Sequence, residues 1–157
     1  MKERTLKNMA ASVRSRLLNI SRQSGKPFDQ LLFLYGQERF LFRLSLTTYK
    51  DKLVLKGGLL LVGLGFPQSR PTRDIDLLGL MNSDIETVSS IMKEIGNTDI
   101  DDGLIFDLKG LICDILSPDS DNPGLRFRFT GYLGQAQIPI QIDVGFGDQV
   151  IPEIKEC

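Results

Sequence analysis

The 157-residue chain contains no histidine. That excludes every Ser-His or Cys-His triad, every imidazole zinc site and every histidine general base. Proton chemistry is left to carboxylates, to lysine or to a metal-bound water. Cysteine is scarce as well. Cys113 and Cys157 stand far apart with no CxxC spacing, which argues against a disulfide framework and a thiolate zinc site and fits a reduced compartment. Long apolar runs are also missing. Arg39, Arg43, Lys50, Lys52 and Lys56 interrupt every candidate for the roughly 20 apolar residues of a membrane span, and the N-terminus has no signal-peptide core. A soluble, cytoplasmic protein without a membrane partner is expected.

What is present suits one folded domain, 1–157, with hydrophobic residues at 41% and enough length to bury a core. The net charge of −1 conceals a division along the chain. Residues 1–56 carry 12 Lys and Arg against 4 Asp and Glu, and residues 57–157 carry 7 against 16. A basic first third is either a surface for nucleic acid or another polyanion, or a set of helices that neutralises the acidic part it packs against.

Leu6, Met9, Val13, Leu17 and Ile20 recur at helical spacing, and Ser24, Gly25 and Pro27 end the run, which predicts a helix near 3–23. A second helix is expected near 29–46, with Phe28, Leu31, Leu32, Tyr35, Phe42 and Leu46 on roughly one face and Asp29 favouring its dipole. These elements make an N-terminal helical part, 1–50, ahead of a sheet region, 51–157. "KLVLKG" reads as a short strand, and "GGLLLVGLG" as a tight turn into a buried helix. In "NSDIETVSSIMKEIG" a capping box from Ser83 to Glu86 opens a helix that Gly96 ends. "LIFDLKGLICDIL", "LRFRFTGYL" and "IPIQIDVGF" alternate like strands, the last two as a hairpin. The acidic "DIDDG" with Asp99, Asp101 and Asp102 reads as a solvated charge run, too short for an EF-hand calcium loop. The fold class is therefore α/β, a mixed sheet flanked by helices.

The chemistry points to "RDIDLLG". Residues two apart in a strand share a face, so Asp74 and Asp76 reach toward a common point while Ile75 and Leu77 face the core. Two nearby anions repel, and a shared Mg²⁺ reverses that cost with the oxygen ligands it prefers. Two-metal phosphoryl chemistry needs a further acid. Asp143 supplies one, because Ile138, Ile140 and Ile142 alternate toward the core and leave Gln141 and Asp143 on the opposite face. The pair Gly57-Gly58, at a strand-to-helix turn, lets a phosphate approach backbone N–H groups, with Lys56 and Arg73 adding positive charge. The pattern is neither a P-loop nor a dinucleotide fingerprint. Taken singly, a Gly-Gly pair is a turn and an Asp-x-Asp a solvated strand face. Together and in this order, with a later strand aspartate, they indicate a metal-dependent nucleotide site. Two rivals are a metal-free carboxylate-pair hydrolase and a module that binds RNA or protein through its basic helices.

The successive blocks "LLFLYGQERFLFRLS", "LVLKGGLLL", "RPTRDIDLLG" and "IPIQIDVGFGD" resemble the AbiEii/AbiGii toxin family of nucleotidyltransferases, within the polymerase-beta-like nucleotidyltransferase superfamily. The likeness runs from about residue 28 to 149. It implies the polymerase-beta-like fold, a triphosphate held at Gly57 and Gly58, metals (Mg²⁺ or Mn²⁺) at Asp74 and Asp76, and Asp143 as the third acid. It further implies transfer of a nucleotide from an NTP to an acceptor, for some members the 3′ end of tRNA, and toxicity opposed by a cognate antitoxin. Members of the family usually continue past the third aspartate into a helical region, whereas this chain ends at "PEIKEC". That C-terminal region is accordingly expected to be missing.

Overall fold

The computed structural model describes residues 2–56 and 74–147, with side chains from Thr5 onward. Gly57, Gly58, Arg73 and the turn and helix expected after β1 lie outside the described residues. Within them the chain forms helix α1 (Lys2–Ser24), helix α2 (Phe28–Ser45), a 3-10 turn (Thr48–Asp51) and strand β1 (Leu53–Lys56). Strand β2 (Ile75–Gly79), helix α3 (Ile85–Gly96) and strands β3 (Leu104–Leu116), β4 (Gly124–Leu133) and β5 (Ala136–Gly145) follow. The strands make one mixed sheet in the order β1-β2-β5-β4-β3. Only β2 and β5 run parallel; the other neighbours are antiparallel. This is the α/β architecture expected from the pattern.

Of the stripe that its periodicity predicts, α1 buries Val13 and Leu17 and half-buries Leu6 and Met9, while Ile20 stays exposed and Ala10 is buried instead. The helix stops where Gly25 adopts a left-handed φ of 77° and its N–H donates to the Ser21 carbonyl at 2.9 Å. α2 departs from expectation. It buries Leu32, Gly36, Gln37, Phe40, Arg43 and Leu44, whereas Phe42 and Leu46 face solvent. The cause is Gly36, whose missing side chain lets the helix close on β5. A Cβ there would stand 2.8 Å from Ile138 Cγ2. That contact rotates Phe40 into an aromatic cluster with Phe106 and Phe129, the ring centroids 5.6–5.7 Å apart.

α3 begins one residue later than its capping box suggests. Asp84 is the N-cap, and its carboxylate accepts from the Thr87 amide at 3.0 Å and the Thr87 hydroxyl at 2.6 Å. Thr87 thus offers two donors to one carboxylate.

Asp102 corrects the reading of "DIDDG" as a solvated run, because it is only 6% exposed. The Arg43 guanidinium, also buried, donates to Asp102 Oδ2 and Oδ1 at 2.9 Å each, and Arg39 Nε donates to Oδ2 at 2.9 Å. Arg43 donates further to the carbonyls of Arg39, Thr98 and Leu104. Two charges are taken from water here, with their lone pairs and protons met almost completely. The pair ties α2 to the start of β3. Tyr35 also donates to the Asp102 carbonyl at 2.7 Å, and burial, reinforced by the nearby Asp102 charge, pushes its hydroxyl up to about 12.

One face of the sheet carries Leu125, Phe127, Phe129, Ile138, Ile140, Ile142, Ile75 and Leu77, all buried beneath the helices. The opposite face carries Asp76, Asp143, Gln141, Arg126 and Arg128. Among the described residues no helix is long and apolar enough to cross a membrane.

Candidate active site

The strand order decides what the polar face brings together. Parallel pairing of β2 with β5 sets Ile75 beside Ile142 and Asp76 beside Asp143. The two aspartates, far apart in the chain, thus become register partners on neighbouring strands, which in a sheet lie about 4.8 Å apart. Asp74 precedes Ile75 and stands on the same face, half-buried like the other two. On the other side of β2, antiparallel pairing sets Lys56 beside Asp76. The Lys56 ammonium extends across β2, and a Cβ at Gly145 would stand 3.2 Å from its Nζ. Lys56 is exposed.

The electrostatics follow from this placement. Burial, then the charges of Asp143 and Asp74, push the Asp76 carboxyl above the ordinary carboxylate range, with Lys56 and Arg126 pulling the other way. Three acids and two bases therefore share one patch, with one of the acids held against its own ionisation.

Arg126 is the residue that the sequence reading passed over. Its Nε donates to Asp143 Oδ1 at 2.8 Å and its Nη2 to Oδ2 at 2.9 Å, a two-pronged ion pair across the β4–β5 hairpin where Arg126 and Asp143 are register partners. The Asp143 carboxylate, aided by the charges of Asp74 and Asp114, raises the Arg126 pKa. A signal for it existed. In "LRFRFTGYL" Phe127 and Phe129 alternate toward the core, so Arg126 and Arg128 must face the side where Asp143 lies.

The donors at this patch are carboxylate oxygens, the kind Mg²⁺ and Mn²⁺ take. A divalent cation between Asp74 and Asp76 would relieve the repulsion that raises Asp76, so the residues fit such an ion in chemical kind. Their grouping is looser than a preformed cage. Among the described residues no set of three or more His, Cys, Asp or Glu side chains is arranged to hold a metal ion, and Arg126 engages both oxygens of Asp143. An ionised carboxylate has about four acceptor sites, so the pairing leaves Asp143 further capacity.

No curated protein and no solved structure matches the chain. A family model does, over residues 39–157, described as nucleotidyl transferase AbiEii toxin of a type IV toxin-antitoxin system. The matched stretch takes in the end of α2, the five strands among the described residues and the three aspartates, and on that ground the chain belongs to the AbiEii family of nucleotidyltransferase toxins.

Proposed function

We propose that the protein transfers a nucleoside monophosphate from an NTP to an acceptor hydroxyl, with the 3′ end of an RNA such as tRNA as the acceptor, and that it is the toxin of a pair whose antitoxin opposes it. The observation that carries the reading is the register pairing of Asp76 with Asp143 beside Asp74, in a chain of this family. Asp74 and Asp76, with Asp143, would hold the divalent cation, which when bound neutralises phosphate charge and polarises the α-phosphorus.

In the proposed reaction the acceptor oxygen attacks the α-phosphorus in line, the bond to the β-phosphate oxygen breaks, and pyrophosphate leaves with that electron pair. Asp143 accepts the hydroxyl proton or passes it to water. Arg126 orients Asp143 through two hydrogen bonds, so the carboxylate loses no rotational freedom when substrate arrives. Gly57 and Gly58 follow β1 directly, and with Lys56 and Arg73 they would hold the triphosphate. Chemistry of this type relies on positioning and charge neutralisation, which a few side chains supply.

The test is transfer from α-labelled NTPs to tRNA in the presence of Mg²⁺ or Mn²⁺. Asp76→Ala is expected to lose incorporation while keeping its far-UV circular dichroism, and a chelator should silence the wild type. The engagement of both Asp143 oxygens by Arg126 favours one rival, a catalytically incomplete domain that binds RNA or a protein partner. For that rival, incorporation is absent from the wild type and salt-sensitive RNA binding survives loss of Asp74 and Asp76.

A further inference from the structure

Beyond the acids, the polar face of the sheet continues into a groove of about 360 Å³ that Asp74 lines at one end and Ile112 and Arg128 at the other. The register runs straight across it. Asp74, the residue before β2, and Gln141 of β5 both line it, Gln141 pairs with Arg128, and Arg128 pairs with Ile112. With neighbouring strands about 4.8 Å apart, β4, which carries Arg128, lies roughly 10 Å from β2.

The walls combine two kinds of chemistry. Phe33, Ile112 and Pro139 offer apolar surface, and Ile112 is 57% exposed, unusual for an isoleucine in a strand. Arg128, Gln141 and Thr130 offer donors. Arg128 Nε donates to Gln141 Oε1 at 3.2 Å, which steadies the guanidinium. Its other contact is a 3.6 Å approach to Asp114 in which both side chains are about half exposed, a pairing that solvent screens. The guanidinium is therefore held in place and still open to an anion. Apolar surface for a base or sugar face beside a fixed cation for a phosphate is what a nucleotide requires.

Sheet order chooses which nucleotide. The glycine pair follows β1, at one edge of the sheet, and Lys56, its neighbour, pairs with Asp76. The groove lies over β5, β4 and β3, on the other side of the three acids. A triphosphate drawn to the β1 side leaves the groove to the second substrate. We propose that this groove seats the terminal nucleotide of a single-stranded nucleic-acid acceptor, with Arg128 holding its phosphate and Ile112 and Phe33 bounding its base or sugar. The assignment rests on the nucleotidyl-transfer reading for its direction, and on the groove's own chemistry for its ligand.

Fluorescence anisotropy with 5′-fluorescein-labelled RNA and DNA dodecamers of one sequence, each with a free 3′-hydroxyl, tests the proposal and separates the two sources of acceptor. Arg128→Gln is expected to weaken binding of whichever strand binds about tenfold and to lower the salt slope by about one. Ile112→Glu, which adds an anion to the groove at an already exposed position, should weaken it as much, while Arg22→Gln on α1 removes the same charge with a smaller effect. The proposal is overturned by wild-type affinity in Arg128→Gln and Ile112→Glu, by an equal loss in Arg22→Gln, or by no affinity of the wild type for either strand. Mn²⁺ calorimetry on wild type and Asp76→Asn reports on the metal reading alone. Unchanged Mn²⁺ binding there removes that reading, and the anisotropy still decides the groove.

Discussion

Asp76 and Asp143 are register partners on two parallel strands, and both face away from the core, so two acids from opposite ends of the sheet region stand side by side. Arg126 closes on the second of them from the adjacent antiparallel strand. The patch thus contains its own repulsion and part of its own relief.

The first consequence concerns Asp76→Asn. Burial and the Asp143 and Asp74 charges disfavour the Asp76 carboxylate, so removing its charge should stabilise the metal-free protein. The side chain is half-buried and still reached by water, and screening reduces the gain to about 0.5 kcal/mol, or about 1–2 °C in Tm. Thermal melts with and without Mn²⁺ check it: the wild type should gain stability from the ion and the variant should not.

Arg126→Gln acts in the opposite direction. Asp143 is left half-buried beside two like charges without its counter-ion, and Tm should fall. Mn²⁺ should recover more stability in this variant than in wild type, because the ion no longer competes with the guanidinium. An equal Mn²⁺ response in both proteins would contradict the competition.

Arg43 and Asp102 make a third case. Arg43→Met leaves a buried carboxylate with Arg39 as its remaining counter-ion and the Leu104 amide as its other donor, and should cost about 3–5 kcal/mol in urea denaturation. The double replacement Arg43→Met with Asp102→Leu should recover much of the loss, since no charge is then left alone in the core.

Gln37 offers a gain. It is 1% exposed, and among the described residues neither amide atom has a hydrogen-bond partner. Gln37→Leu removes two unmet polar atoms at similar volume and should add about 1 kcal/mol, or about 2–4 °C by calorimetry.

The acid limb of stability should involve Asp84. Its hydrogen bonds from the Thr87 hydroxyl and amide lower its pKa below the usual aspartate value. A group whose folded pKa is depressed contributes stability above its unfolded pKa and loses it as pH falls through the folded one. The ionic part of the α3 cap's contribution is therefore complete at neutral pH, and it declines as the pH falls below about 4 toward the lowered pKa of Asp84. Asp84→Ala should lower Tm at pH 7, and by progressively less as the pH falls below about 4.

Local pattern made much of this protein legible. The helical spacing of Met9, Val13 and Leu17, the alternation in "IPIQIDVGF" and the breaks at Gly25 and "SPDSDNPG" follow from side-chain period and backbone freedom, which are properties of neighbours in sequence. Alternation also assigned Asp76 and Asp143 to polar faces. Which strands lie together is another kind of fact. The parallel β2–β5 pairing that sets Asp76 against Asp143, the hairpin register that turns Arg126 onto Asp143, and the approach at Gly36 that rotates Arg43 inward to meet Asp102 all depend on contacts between distant segments. A charged residue reads as solvated until a partner is placed beside it, and only the packing of strands and helices places that partner.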